Sequence, residues 1–253
     1  MRNIDHHSEI QKISTFLANY LISSGMSKYI IGISGGIDSA LAAALAVKGV
    51  GKGNVIGILM PYKTSHPDSL ADAEILCRHL GIEHHHIDIS PIVDAWFAVN
   101  ETDAERLRRG NWMARTRMCV LYDLSAKYKA LVLGTSNLSE IMTGYFTQHG
   151  DSAAAIEPLG RLYKTEVWAL SKLMGLPQKI VEKVPTADLW DDQSDEDEMG
   201  IRYLELDEIL WAIDNMDDLE AFDNDKVKRV YTLIAKSAFK RSPVPTPEAP
   251  CSP

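Results

Sequence analysis

No stretch of the 253 residues approaches the roughly 20 consecutive apolar residues that cross a bilayer, although 45% of the chain is hydrophobic. No membrane role is therefore expected. The opening MRNIDHHSEI lacks the apolar centre of a secretory signal. Cysteine is scarce: Cys77, Cys119 and Cys251 are far apart and odd in number. That excludes a disulfide framework and a CxxC metal site, and predicts a reduced, cytoplasmic setting. Positive charge is in deficit, with 26 Lys and Arg against 35 Asp and Glu, a formal charge of −9. A general nucleic-acid binder needs a basic footprint and is excluded, whereas a local pocket for one nucleotide is not. Trp96, Trp112, Trp168, Trp190 and Trp211 are too scattered to form a stacking platform. No internal repeat stands out. What is present is the apolar and charged content of an ordinary globular chain, at a length that fits one large α/β domain or two small ones.

Hydrophobic periodicity alternates between helix and strand. A helix is expected from about Asp5 to Ser24, with Ile10, Ile13, Phe16, Leu17, Tyr20 and Leu21 on one face. Strands are expected at Tyr29–Ile33, Val55–Leu59, His85–Ile89 and Ala130–Leu133. Helices are expected at Ile37–Val47, Ser65–Leu80, Thr102–Tyr128, Lys164–Met174, Ile201–Ile213 and Asp225–Ser237. Strands separated by helices imply βαβ units, hence a single α/β domain with a central parallel sheet and helices on both faces. Ligands of such sheets sit beyond the carboxyl ends of the strands. That directs attention to the loops after Ile33, Leu59 and Leu133. Pro185 to Glu198 reads as irregular and acidic. The domain is expected to span residues 1–241, and the Pro-rich tail 242–253 to be disordered.

The strongest local signal is Gly32-Ile33-Ser34-Gly35-Gly36-Ile37-Asp38-Ser39, between a buried strand and a helix. Glycines let backbone approach a ligand closely. Ser34, Ser39 and successive N–H groups can wrap an anion. The helix that follows presents its unpaired N–H groups and positive dipole end at the same place. The Lys of a Walker A loop is missing. Asp38 would repel a bare phosphate, but suits one bridged by a divalent cation. The plainer alternative is a Gly-rich turn with Asp38 as a helix N-terminal charge.

SGGIDS, residues 34–39, resembles the pyrophosphate loop of the N-type ATP pyrophosphatases, which adenylate a carboxylate or carbonyl and let a nitrogen or sulfur nucleophile displace AMP. The motifs around Ala114–Met118, Leu133–Glu140, Gly144–Thr147, Gly150–Asp151, Leu162–Thr165 and Pro185–Trp190 are similar, in order and spacing, to those of ammonia-dependent NAD synthetases. The resemblance runs from about Ile10 to Arg241 and implies an adenine nucleotide alpha hydrolase-like, Rossmann-like fold. The reaction it implies begins with attack of the nicotinate carboxylate of deamido-NAD on the α-phosphorus of ATP, releasing pyrophosphate. Ammonia then displaces AMP to give NAD.

By this resemblance Gly32, Ile33, Ser34, Gly35, Gly36, Ile37, Asp38 and Ser39, with Thr135, Lys164 and Thr186, bind ATP. Asp38 and Glu140 hold Mg²⁺. Lys164 and Asp151 are the catalytic residues. Lys164 meets the leaving pyrophosphate, and Asp151 orients or deprotonates ammonia; the alternative for Asp151 is a turn-stabilising role. Thr135 could instead cap a helix and Glu140 be solvated. Pro185–Glu198 resembles a loop that closes over the nucleotide, its Asp191–Glu198 run reading as a solvated face with Asp188 a lesser metal contact. Arg115, Gln148, Ala155, Phe239 and Lys240 occupy deamido-NAD positions. Three of these depart from the family pattern: Gln148 stands for a Lys, Ala155 for an Asp, and Phe239 for a His. A homodimer is implied, with the helix around Arg115 near the boundary, and free ammonia or a separate glutaminase supplies nitrogen. The rivals are a ligase for another carboxylate, motivated by those departures, and a regulatory module that binds ATP without turnover. His84-His85-His86 cannot converge on a metal in a strand, because adjacent side chains alternate faces. Met60 could flank adenine or lie in the core, and Cys119 is expected to be inert core.

Overall fold

The computed structural model describes residues 2, 4–101, 103–186, 188–190 and 193–247. Residues 248–253, including Cys251 and the second half of the expected disordered tail, lie outside these, as do Ala187, Asp191 and Asp192.

Among the described residues, four strands form one parallel sheet: β1 (Lys28–Gly32), β2 (Val55–Leu59), β3 (Glu83–His86) and β4 (Ala130–Val132), in the spatial order β3-β2-β1-β4. Tyr29 pairs with Val55 and Leu131, and Ile58 with His85. The strand alternation sorts side chains between two cores. Tyr29, Ile31, Val55 and Leu59 face the core built with α1 (His6–Ser24), α2 (Ile37–Val50) and α3 (Pro67–Leu80). Ile30, Ile56 and Ile58 face the opposite core, closed by α4 (Ser90–Asn100) and α5 (Arg106–Tyr128). The helices on both faces are thus a direct consequence of a period of two in strands that are apolar on each side.

α2 is almost entirely buried from Ile37 to Ala46, and its small residues allow that. At its far end a Cβ on Gly49 would lie 2.4 Å from the carbonyl oxygen of Ser14, so α1 and α2 touch backbone to backbone there. α6 (Leu138–Thr143) follows β4. Then come α7 (Lys164–Leu173), α8 (Gln178–Val181), α9 (Asp195–Met199), α10 (Tyr203–Asp214) and α11 (Asn224–Arg241). α10 and α11 build a third apolar cluster, around Tyr203, Leu206 and Leu210, against α6 and α7. Among the described residues, no helix is long and apolar enough to cross a membrane.

Four details differ from expectation. α4 is a separate helix, opened by Ser90-Pro91, where proline suits the first turn. β3 ends at His86, although Ile87 and Ile89 continue to donate to the carbonyls of Leu59 and Pro61. Phe16 and Tyr20 lie outside the buried stripe of α1, exposed, with their rings tilted against one another. Cys119 is exposed on α5, not core, because the buried stripe of that helix runs through Gly110, Met113, Ala114 and Thr116.

Candidate active site

A cavity of about 670 Å³ opens at the carboxyl ends of β1, β2 and β4. Its floor is the loop after β1. Gly35 holds φ +80°, a backbone state costly for other residues. A Cβ on it would lie 2.3 Å from the Ser69 carbonyl oxygen of α3. The Ser34 hydroxyl accepts from the Gly36 N–H at 3.1 Å, and Ser39 donates to the Gly36 carbonyl at 3.0 Å. Gly36 is the N-cap of α2 and supplies no side-chain cap. The first-turn amides of a long buried helix therefore face the cavity, an arrangement suited to an anion.

Above that helix end, three chain segments bring charge together. Lys164, the first residue of α7, is 2% exposed. Its Nζ donates to Asp38 Oδ2 at 2.6 Å and to Glu140 Oε1 at 3.2 Å. Its backbone N–H donates to the Ser139 hydroxyl, which in turn donates to Asp207, itself buried on α10. Asp207 also accepts from the Thr165 N–H, so one carboxylate pins the start of α7. Asn137 caps α6, accepting from the Glu140 N–H while its own N–H donates to the Glu140 carboxylate. The Asn137 side-chain amide donates to Asp38 Oδ1 at 2.9 Å. Asn137, not Thr135, is thus the helix cap. Thr135 stands free of that task on the cavity wall.

Burial and the Asp38 charge push the Glu140 carboxyl up, partly offset by Lys164. Burial works against the Lys164 ammonium, but Asp38, Glu140 and Asp195 together hold it above the usual lysine range. Asp195 is a residue the sequence reading missed. It belongs to the acidic run expected to be solvated, yet it is 4% exposed and accepts from the hydroxyls of Tyr145 and Tyr203. Its N–H donates to the Pro185 carbonyl, tying the base of the 185–195 segment. Thr186 lines the cavity and its Oγ accepts from the Asp188 N–H. Asp188 accepts from the His66 N–H, away from Asp38 and Glu140 in its hydrogen bonding.

Asp151 lines the cavity and also accepts from the Thr147 N–H at 2.9 Å. Asp151 thus makes the turn contact while standing on the cavity wall. Burial in the cleft raises its carboxyl above the ordinary range, against the Thr147 hydrogen bonds and the Lys240 charge. The acceptor-side residues are divided. Lys240 reaches the cavity, its ammonium donating to the carbonyls of Gly144 and Phe146. Arg115, Gln148, Ala155 and Phe239 are off its wall. Arg115 donates to the Gln148 carbonyl, the Ala155 N–H donates to the carbonyl of Val132 at the end of β4, and Phe239 is exposed.

Two further groups escaped the sequence reading. Arg117 lines the cavity and donates from Nε to the Met60 carbonyl, with burial lowering its pKa. Glu157 lays its carboxyl against Gly134, where a Cβ would lie 2.2 Å from it. It accepts from the Ser136 N–H at 3.1 Å. Burial, with a contribution from Asp151, pushes its carboxyl up to about 8. An acid raised in the fold weakens stability as pH climbs from its unfolded value to its folded one. Glu157→Gln, which mimics the protonated acid and keeps the Ser136 contact, should therefore melt like the parent near pH 5 and higher than it at pH 8.5. The gain is on the order of 1–2 kcal/mol, about 2–4 °C per kcal/mol for a chain of this size. Thermal unfolding at both pH values checks this, and a gain of the same size at pH 5 would contradict the buried-acid account.

The family model described as NAD synthase matches residues 9–244. The NH(3)-dependent NAD(+) synthetase of Thermococcus kodakarensis is 45% identical over 95% of this chain and 97% of its own length. Among solved structures, an NMN synthetase from Francisella tularensis superposes with a TM-score of 0.90 at 35% identity, covering 98% of this chain and 100% of that one. An NH3-dependent NAD synthetase from Campylobacter jejuni superposes with a TM-score of 0.85 at 33% identity, covering 97% and 100%.

Proposed function

Because the chain belongs to the NAD synthase family of ligases, we propose that its cavity amidates deamido-NAD to NAD with ATP and ammonia, through an adenylate. The observation that carries this reading is Lys164, buried between Asp38 and Glu140 at the amino end of α2. A carboxylate oxygen of the acceptor attacks the α-phosphorus, the bond to the β-phosphoryl oxygen breaks, and pyrophosphate takes the electron pair. Little covalent work falls to the protein in such a step, so charge placement and positioning carry it. The loop amides and Lys164 bind the charge that builds on pyrophosphate, and Thr135 and Thr186 hold the nucleotide. Ammonia then attacks the carbonyl carbon of the adenylate, AMP leaves, and the extra proton is lost. Asp151 takes that proton or orients the incoming nitrogen, since only neutral ammonia is a nucleophile. The 185–195 segment keeps water from the adenylate.

Asp38 and Glu140 point oxygens at one spot, now shared with the Lys164 ammonium. Two hard carboxylate donors beside a phosphate cradle fit Mg²⁺, which keeps several waters and takes its other ligands from phosphates. Among the described residues no third His, Cys, Asp or Glu joins them. Bound there, the ion would offset polyphosphate charge. A homodimer would complete the acceptor pocket, which explains why Arg115, Gln148, Ala155 and Phe239 lie off the wall of a single chain's cavity.

A second reading is amidation of nicotinate mononucleotide, the acid that corresponds to NMN. It is favoured by the likeness to the Francisella tularensis NMN synthetase. Gln148, Ala155 and Phe239 also fit it, because a shorter acceptor needs fewer dinucleotide contacts. Product analysis by mass spectrometry decides. The protein is given Mg-ATP, ammonium and either acceptor, with each omitted in turn. NAD and AMP in equal amounts, dependent on ammonium and deamido-NAD, is the expected result. A kcat/KM at least about tenfold higher for the mononucleotide, roughly 1.4 kcal/mol of transition-state preference, transfers the assignment to the second reading. AMP from neither acceptor, in folded protein, would sink both and call for a screen of other carboxylates.

A further inference from the structure

Lys183 belongs to no motif used so far, yet its side chain lines the cavity. It lies between α8 and Thr186, and the Val184, Pro185 and Thr186 that follow it also line the cavity. Its Nζ donates to the Ser69 hydroxyl at 3.1 Å and to Asp72 Oδ2 at 3.2 Å. Ser69 is the residue whose carbonyl oxygen sits against Gly35 of the pyrophosphate loop. Lys183 is therefore placed beside Gly35, on the α3 side of the loop, whereas Lys164 approaches through Asp38 on the α7 side. Asp72, 1% exposed, does not need Lys183 for neutralisation: Lys179 reaches its other oxygen at 2.9 Å from solvent. Lys183 is 23% exposed, and a four-carbon stem with three donors can change partners without moving the backbone. The other lysines of the cavity are committed, Lys164 to Asp38 and Glu140 and Lys240 to two carbonyls.

We propose that Lys183 is a second phosphate-binding lysine, exchanging Ser69 and Asp72 for oxygens of the β- and γ-phosphoryl groups of ATP and of the pyrophosphate it releases. This rests on the reading of the cavity as an ATP site. Asp72 and Ser69 park the ammonium next to the loop when no polyphosphate is there. The preference is for the polyphosphate end, so AMP, which lacks those groups, should not feel the residue.

Titration calorimetry of the full-length protein with Mg-ATP, pyrophosphate and AMP tests this. Lys183→Met should weaken ATP and pyrophosphate by about tenfold or more, the fold-change of one charge-assisted hydrogen bond, and leave AMP within about twofold. Lys183→Arg, which keeps the charge, should restore most of the ATP affinity. Lys179→Met removes the other partner of Asp72 from outside the cavity and should leave all three ligands unchanged. Equal losses for ATP and AMP, or the same loss from Lys179→Met, would show a purely structural role and overturn the proposal. So would unchanged ATP binding in Lys183→Met. If the parent protein binds no ATP at all, the ATP reading of the cavity fails first, and the proposal with it.

Discussion

Lys164→Met should lower kcat by on the order of 10³, the loss that follows removal of one preorganised donor to developing charge, and should also cost stability that depends on pH. The methionine keeps most of the stem volume, so packing is little changed. What disappears is the one cation that Asp38 and Glu140 share, with Asp195 in the same field. Breaking a buried ion pair from one side costs about 3–5 kcal/mol. The pH dependence has a definite sign. Burial already raises Glu140 and Asp195 above the ordinary carboxylate range, and loss of the ammonium raises them further. For an acid with a raised folded pKa, stability falls as pH rises from the unfolded value through the folded one. The melting gap between parent and variant should thus widen from pH 5.5 to pH 8.5. A gap that stays constant over that range would mean that the ammonium is not what compensates these carboxylates. ATP affinity measured at pH 6, where the variant is better folded, separates the binding defect from the folding defect.

Much of the fold was legible because β1, β2 and β4 are short apolar runs, whereas β3 is the polar Glu83–His86. β2 is found where it was expected, at Val55–Leu59, and β1 is displaced by one residue. The helix between β3 and α5 was not legible. Ser90–Asn100 is apolar enough to read as part of a buried stretch, and its packing against α5 decides its state. In the site, the loop from Gly32 to Ser39 carries its own local signal. The convergence of Asp38, Glu140 and Lys164 does not, because the residues come from three helices far apart in the chain. In the sequence, only resemblance to a family links them. Glu157, Lys183 and Asp195 left no pattern at all, and Arg117 lay inside the Ala114–Met118 motif without being singled out. Each is a charged residue of ordinary spacing whose significance is burial, and burial here is made by tertiary contact. Asp195 makes the point most clearly. It sits beside the exposed Asp197 and Glu198; Tyr145 meets Glu198 as well, but Asp195 is the one that Tyr203 also meets and that is buried.

Gly35→Ala should be among the most damaging single methyls added to the nucleotide-facing loop. Two costs coincide at this position. The φ of +80° places any Cβ in the left-handed region, at roughly 1–2 kcal/mol. That Cβ also lies 2.3 Å from the Ser69 carbonyl oxygen and 3.2 Å from the Asp72 Cβ. The close neighbour is backbone in a helix, so no side chain can rotate away. Either the loop lifts off α3 or α3 moves. Both displace the amides proposed to cradle the phosphates, and both disturb Ser69 and Asp72, which hold Lys183. Stability should fall by about 3 kcal/mol or more, with strain and clash taken together. ATP affinity should fall by roughly 100-fold, the equivalent of about 2.7 kcal/mol. Gly25→Ala supplies the control. Gly25 also has a positive φ, +69°, but nothing lies within 4 Å of its Cβ position. It should show only the backbone cost, about 1 kcal/mol, with ATP affinity unchanged. If Gly35→Ala matched Gly25→Ala in both melting temperature and ATP affinity, the contact between the pyrophosphate loop and α3 would have no part in shaping the nucleotide site.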